Sequence, residues 1–256
     1  MKLSKSIEQL EYSKALESDQ EAIEWLDEHG RRFGQFIGGE FLFDKKSDQI
    51  NVINPSDSSV LASIEVADDK TVDLAVSAAG KSQKSWYKSG GHARAKVLYA
   101  LARLIQKHSR VISVLETLDN GKPIRESRDA DVPLAIRHFY YHAGWAQLQE
   151  SELKGQEPVG VVAQIIPWNF PFLMLAWKIA PAIAMGNSVV LKPAESTPLT
   201  AMFFAHFCAE AGVPKGVINI INGAGNTGAA LSAHPDVNKV AFTGSTPVGR
   251  SIRKST

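Results

Sequence analysis

The sequence holds a single cysteine, Cys208, among 256 residues. One thiol excludes an intrachain disulfide and any metal site built from several cysteines, and it makes a reduced, cytoplasmic compartment the expectation. No apolar run reaches the length of a membrane-spanning helix, and residues 1–30 are too charged for a secretory leader. Charge of one sign is not in excess: 28 basic against 27 acidic side chains leave a net charge of +1. A nucleic-acid protein would show a clustered basic surplus. Internal repeats and low-complexity tracts are missing too. What is present, 44% hydrophobic and 21% charged residues, supplies a sizeable core for one large domain or two small ones.

The first part of the chain changes period several times. Residues 6–29 read as one or two charged surface helices closed by Gly30, a peripheral segment. Residues 36–41 read as a hairpin turning at Gly38 and Gly39, 50–53 as a strand stopped by Asn54 and Pro55, and 61–66 as another strand. Asp69 is a good N-cap for a helix over 70–87. Val97, Leu98, Leu101, Leu104 and Ile105 share one face of a helix over 92–108. A further helix over 109–118 stops at Asn120 and Gly121, and a long aromatic-rich helix covers 127–148.

From Val159 the pattern is α/β alternation. The continuous apolar run 159–166 suits a strand buried on both faces, and Pro167 stops it. Pro171 opens a helix over 172–184, and a second buried strand covers 188–191. A helix over 198–211, a strand at 217–221, a glycine turn at 223–225, a helix over 226–234, a strand at 239–242 and a last helix from Thr246 complete the series. Strands separated by helices of this length imply an α/β fold, a parallel sheet with right-handed crossovers and helices on both faces. Such sheets bind ligands outside the carboxyl ends of their strands.

Several groups lie at those ends. Residues 223–228 form GAGNTG, formally GxGxxG, but on the third strand of the unit, whereas a dinucleotide fingerprint belongs on the first. A tight turn is the plain alternative. In 242–249, FTGSTPVG, Gly244 permits close backbone approach, and Ser245 and Thr246 stand where a helix N-terminus offers N–H groups to an anion; an ordinary N-cap would use the same residues. Lys192 and Glu195 are either a solvated ion pair worth about 0–1 kcal/mol or a pair that holds ribose hydroxyls. In the second case the acid would repel a 2′-phosphate and favour NAD over NADP. Asn169 is either a turn-former or a donor to a developing oxyanion, an effect worth about 2.7–4 kcal/mol. Cys208 lies inside an apolar-faced helix, which suits a small hydrophobe better than a nucleophile. His138 and His142 are one helical turn apart without a partner motif, so packing is expected and no metal site is.

The blocks ETLDNGKP (116–123), IIPWNFP (165–171), WKIAPA (177–182), GNSVVLKPAESTP (186–198), GVPKGVINII (212–221) and HPDVNKVAFTGSTPVG (234–249) resemble, in order and spacing, the NAD(P)-dependent aldehyde dehydrogenase superfamily. The resemblance spans nearly the whole chain after about residue 33. It implies a modified Rossmann domain whose first βα turn does not grip the pyrophosphate. It also implies an NAD-binding domain over 33–256 preceded by a peripheral helical segment over 1–32. Asn169 then matches the oxyanion-hole asparagine, Lys192 and Glu195 the adenosine-ribose contacts, and Ile166, Pro167 and Trp168 the backbone wall of the cofactor cleft. Gly225 matches the glycine beside the adenine. Phe242, Gly244, Ser245 and Val248 match the segment at the pyrophosphate, with Ser245 donating to a phosphate, and Lys178 matches a lysine near the active site.

The family's reaction is NAD-dependent oxidation of an aldehyde through a cysteine thioester, hydrolysed by water that a glutamate activates. In the family both residues follow the FTGSTxVG block, and Cys208 does not match the nucleophile. The expectation is therefore a fold truncated before the catalytic domain, inactive alone and completed by a catalytic half. The alternative is a non-catalytic nucleotide-binding or scaffold subunit that pairs with a complete homologue. Family members are usually homo-oligomers, but 145–158 is short for their oligomerisation hairpin, and Pro247 stands where glutamate is common.

Overall fold

In a computed structural model, residues 18–255 are described. The helical expectation for 6–17 therefore lies outside them, while α1 (Gln20–Glu28) forms as expected. Its Ala22 and Leu26 are buried in the main core. Five short strands follow: β1 (Arg32–Phe33), β2 (Gln35–Ile37), β3 (Glu40–Leu42), β4 (Gln49–Ile53) and β5 (Val60–Glu65). Next come α2 (Asp69–Lys88), α3 (Gly91–Lys107), α4 (Ser109–Asn120), the single turn α5 (Ile124–Glu126) and α6 (Val132–Glu152). The α/β series is β6 (Val161–Ile165), α7 (Pro171–Ala184), β7 (Ser188–Lys192), α8 (Leu199–Glu210), β8 (Ile218–Ile220), α9 (Gly225–Ser232), β9 (Lys239–Phe242) and α10 (Thr246–Ser255).

Strands β9, β6, β7 and β8 run parallel, in that order across the sheet. Every residue of β6 and β7 is buried, as a strand covered on both faces requires. The sheet is larger than the alternating strands alone. The β2–β3 hairpin joins it antiparallel, pairing Phe36 with Ile220. Side chains reinforce that seam: Asn219 accepts from Gly38 N at 2.9 Å, and Asn222 Nδ2 donates to Gly34 O at 2.7 Å. A smaller sheet of order β1-β5-β4 stands apart, with Arg32 paired to the buried Glu65 at 2.5 Å.

Two expected helix starts are adjusted. The N-cap of α2 is Asp68 rather than Asp69. Asp68 is the extended residue of the two, and its carboxylate accepts from Thr71 N at 2.9 Å. The long aromatic helix begins as a π-helical turn, Ser127–Asp131, before α6. Pro133 lies in the first turn of α6 and has no N–H, which suits a widened turn ahead of it.

The opposite end of the helical layer is tied by Arg94, which is fully buried. Its guanidinium donates to Tyr87 O at 2.7 Å near the end of α2, to Ala184 O at 2.9 Å at the end of α7, and to Gln149 Oε1 on α6. Carbonyls at helix C-termini carry partial negative charge, so the ends of α2 and α7 share one cation with the side-chain amide of Gln149.

Candidate functional site

The parallel register places the ends of three strands level. Ile165 pairs with Lys192 on one side and with Phe242 on the other. Just beyond these ends lies a cleft of about 840 Å³. Its lining includes Ile166, Pro167, Trp168, Asn169, Lys192, Glu195, Gly225, Phe242, Gly244, Ser245 and Val248. The fold thus brings these eleven nominated residues together in one place, while Lys178 lies outside the lining and reaches it through Thr243.

Lys192 is not half of a solvated pair. It is 4% exposed, and its ammonium donates to Pro193 O and Gly223 O, each at 2.7 Å, with Glu195 Oε2 at 3.5 Å. Burial lowers its pKa, opposed by the nearby Glu195 carboxylate. Glu195 itself is half-exposed at the cleft mouth. The glycine turn turns its polar groups inward. Gly223 gives its carbonyl to Lys192, and a Cβ there would lie 2.2 Å from Thr227 Oγ1. Thr227 in turn donates to Ala67 O at 2.8 Å. Gly225, in contrast, would point a Cβ into open space.

The segment after β9 is pinned from below. Thr243 N donates to Ile165 O at 3.1 Å, and Lys178 Nζ donates to Thr243 Oγ1 at 2.8 Å. Burial lowers the Lys178 pKa. Gly244 lies against the Phe242 ring, where a Cβ would come within 2.6 Å. Gly249 N bonds to Ser245 O, so α10 starts at the cleft wall. The N–H groups of its first turn have no carbonyl within the helix to accept them.

Asn169 is exposed in the turn Trp168–Asn169–Phe170. Residues at and just beyond the end of α4 hold that turn, although the sequence marked Asn120 only as a helix stop and gave neither it nor Lys122 a part in the site. Asn120 Nδ2 donates to Trp168 O at 2.5 Å, and Lys122 Nζ donates to Asn169 O at 2.9 Å. Glu116 accepts from Phe172 N at 3.3 Å and from Thr200 Oγ1 at 3.0 Å, and Asp119 accepts from Leu199 N at 2.8 Å. The α7 and α8 N-termini lack local side-chain caps, so two acids of one helix cap both from afar. Burial pushes the Glu116 carboxyl up to about 7, outweighing the nearby Lys122 cation and the two donors; Asp119 is pushed up as well, also by burial. The available signal was a polar pair three residues apart, Glu116 and Asp119, beside the glycine stop in ETLDNGKP.

Other sequence candidates are structural. Cys208 is buried and its thiol pKa is pushed up by desolvation. The His138 ring stacks on His142 at 6.0 Å and meets Trp177 edge-on at 5.3 Å. Among the described residues, no group of three or more acidic, histidine or cysteine side chains could hold a metal ion, and no helix is long and apolar enough to cross a membrane.

Comparison with known proteins meets this geometry. The sequence pattern of the "Aldehyde dehydrogenase family" matches residues 42–256. An aldehyde dehydrogenase of Alternaria alternata is 47% identical over 234 residues, a match that covers 87% of this chain and 47% of the relative. The mitochondrial aldehyde dehydrogenase family 2 member B4 of Arabidopsis thaliana is 43% identical over 231 residues, covering 84% and 43%. Among solved structures, the NAD⁺ complex of a Bacillus cereus aldehyde dehydrogenase superposes with a TM-score of 0.83 at 40% identity, covering 88% of this chain and 48% of that one. The betaine aldehyde dehydrogenase of Staphylococcus aureus, also with NAD⁺, gives 0.86 at 37% identity, covering 93% and 49%. This chain spans about half the length of these relatives. It belongs to the aldehyde dehydrogenase family.

Proposed function

We propose that the cleft at the ends of β6, β7 and β9 binds NAD and that the chain supplies the cofactor half of an aldehyde-oxidising site. The observation that carries this reading is the convergence of all eleven nominated residues on one cleft. Its volume, about 840 Å³, falls within the range of about 300–1,000 Å³ usual for ligand sites. The donor set fits a dinucleotide. Lys192 has two protons committed to carbonyls, and its remaining proton and the Glu195 carboxylate suit a donor–acceptor pair for ribose hydroxyls. The α10 N-terminus beside Ser245 suits a phosphate. Glu195 opposes a second negative charge at the ribose, so NAD is preferred over NADP.

Bound there, the nicotinamide would accept a hydride. The chain's own part is to bind, orient and polarise. Lys192 and Glu195 hold one end, Gly225 admits the ligand without a Cβ in its path, Gly244 leaves room for the Phe242 ring that lines the cleft, and the Asn169 amide donates to the oxygen of a carbonyl under attack. The sequence offers no nucleophile for such an attack: its one cysteine is buried in α8 with a thiol that resists ionisation. Thiol and general base therefore come from protein outside these residues. Exposed Val159 and Trp177 bordering a groove with Ala182 and Met185 support a face made to pack against more protein.

Calorimetric titration of the pure chain with NAD tests the reading. Saturable heat that Glu195→Gln weakens is expected, and no heat would overturn it. Aldehyde-dependent NADH formation by the same preparation would refute the half-site assignment.

A further inference from the structure

The exposed turn that presents Asn169 is held from one direction. Four of five consecutive residues are touched by α4 and the segment leaving it. Asn120 bonds Trp168 O, Lys122 bonds Asn169 O, the Lys122 ammonium sits 4.5 Å from the Phe170 ring centroid, and Glu116 takes Phe172 N. Lys122 is itself fixed. Its Nζ lies 2.5 Å from the buried Asp131 Oδ2 and 3.8 Å from Glu116 Oε1, and the side chain is only 11% exposed. A surface ion pair would show neither that burial nor a bond to a backbone carbonyl across 47 residues. The chain can deliver Asn120 and Lys122 to the same turn because Gly121 between them takes a left-handed φ of 83° against Pro55, where a Cβ would come within 2.6 Å.

We propose that Lys122, assisted by Asn120, is the positioning residue of the site: it locks the peptide groups of the Trp168–Phe170 turn and so aims the Asn169 amide into the cleft. Lys122 acts through Asn169 and touches no reacting atom. The role in chemistry rests on the cofactor-half reading above, while the clamp itself can be measured without it.

The test is backbone ¹⁵N relaxation by NMR on the full chain. In wild type, residues 168–170 should show order parameters near those of rigid backbone, about 0.85, despite their exposure. Lys122→Met should lower them below about 0.6 at these residues, with α4 and α7 unchanged. Lys122→Arg, which keeps charge and donors, should restore them. Asn120→Ala, which removes no charge, should loosen Trp168 and serves as the probe should Lys122→Met fail to fold. Wild-type order in both Lys122→Met and Asn120→Ala overturns the proposal, and so does loosening spread evenly through α4 and α7, the mark of a merely structural contact. A parallel NAD titration of wild type separates the two ideas. Absent binding removes the cofactor reading, whereas the relaxation data alone decide the clamp.

Discussion

The β7 wall of the cleft and helix α7, which follows the cleft-lining turn at Trp168 and Asn169, are held in place by different means. Lys192 stands at the end of a strand bonded on both sides, to β6 and β8, and two of its polar partners, Pro193 and Glu195, follow within three residues. Helix α7 is not in the ladder. Its N-terminus takes Glu116 from 56 residues away and its C-terminus takes Arg94 from 90 residues away. The β7 wall is a property of the sheet, whereas α7 packs an apolar face on the core and has its two ends tied by side chains from distant helices. The first should tolerate polar substitutions nearby; the second should fail at its anchors.

The largest effect expected is at Arg94. Replacing it with Met keeps much of the aliphatic volume but leaves Tyr87 O, Ala184 O and Gln149 Oε1 without their shared donor. Charge-assisted bonds are worth about 1.5–3 kcal/mol each, and part of that loss overlaps, so the expected cost is about 3–5 kcal/mol. Denaturant unfolding at neutral pH measures it. A loss below about 1 kcal/mol would mean that α7 is held chiefly by its apolar face.

The opposite anchor gives the comparison a pH axis. The folded Glu116 carboxyl sits at about 7, above its usual 4.5, because burial disfavours its charge. For a raised acid, the stabilising proton is fully present in both states below the unfolded value. It is then lost from the unfolded chain first, so stability declines as pH rises from about 4.5 to 7. One proton corresponds to about 1.4 kcal/mol per pH unit in that window. Asp119 contributes in the same direction. Glu116→Gln should remove one such proton and flatten the slope, and equal slopes for wild type and variant from pH 5 to 7 would contradict it.

What was legible in the sequence follows the same division. The strand ends, the GG hairpin, and the polar pair Lys192 and Glu195 are signals contained within a few residues, and the structure gathers them. Asp68 and Asp69 could each have capped α2, and only the extended backbone at Asp68 decides between them. Glu116 and Asp119 were hidden for a different reason: on a helix with an apolar stripe, two acids three residues apart read as solvent face. Their burial comes from α7 and α8 arriving 56 and 80 residues later, which no local pattern encodes. The β2–β3 hairpin likewise read correctly as a hairpin, but its docking on β8 depends on Asn219 and Asn222, far along the chain. Conversely Cys208 was readable as packing from its helix alone.

The smallest stability effect separates binding from folding on the β7 wall. Glu195 is nearly half exposed and 3.5 Å from the Lys192 ammonium, whose closer partners are the carbonyls of Pro193 and Gly223. Solvent screens such a contact, and exposed pairs contribute about 0–1 kcal/mol. Glu195→Gln should therefore leave the unfolding midpoint within about 0.5 kcal/mol of wild type, the scatter of ordinary surface substitutions. Its effect on the ligand should be larger. An amide keeps an acceptor for a ribose hydroxyl but no longer repels a 2′-phosphate, so the preference for NAD over NADP should narrow by about tenfold, equivalent to about 1.4 kcal/mol. Paired calorimetric titrations with the two nucleotides measure this. A variant that loses stability while keeping its nucleotide preference would reverse the assignment. Glu195 would then be a partner that keeps Lys192 charged in its buried place, and the β7 wall, like the ends of α7, would depend on a side-chain anchor.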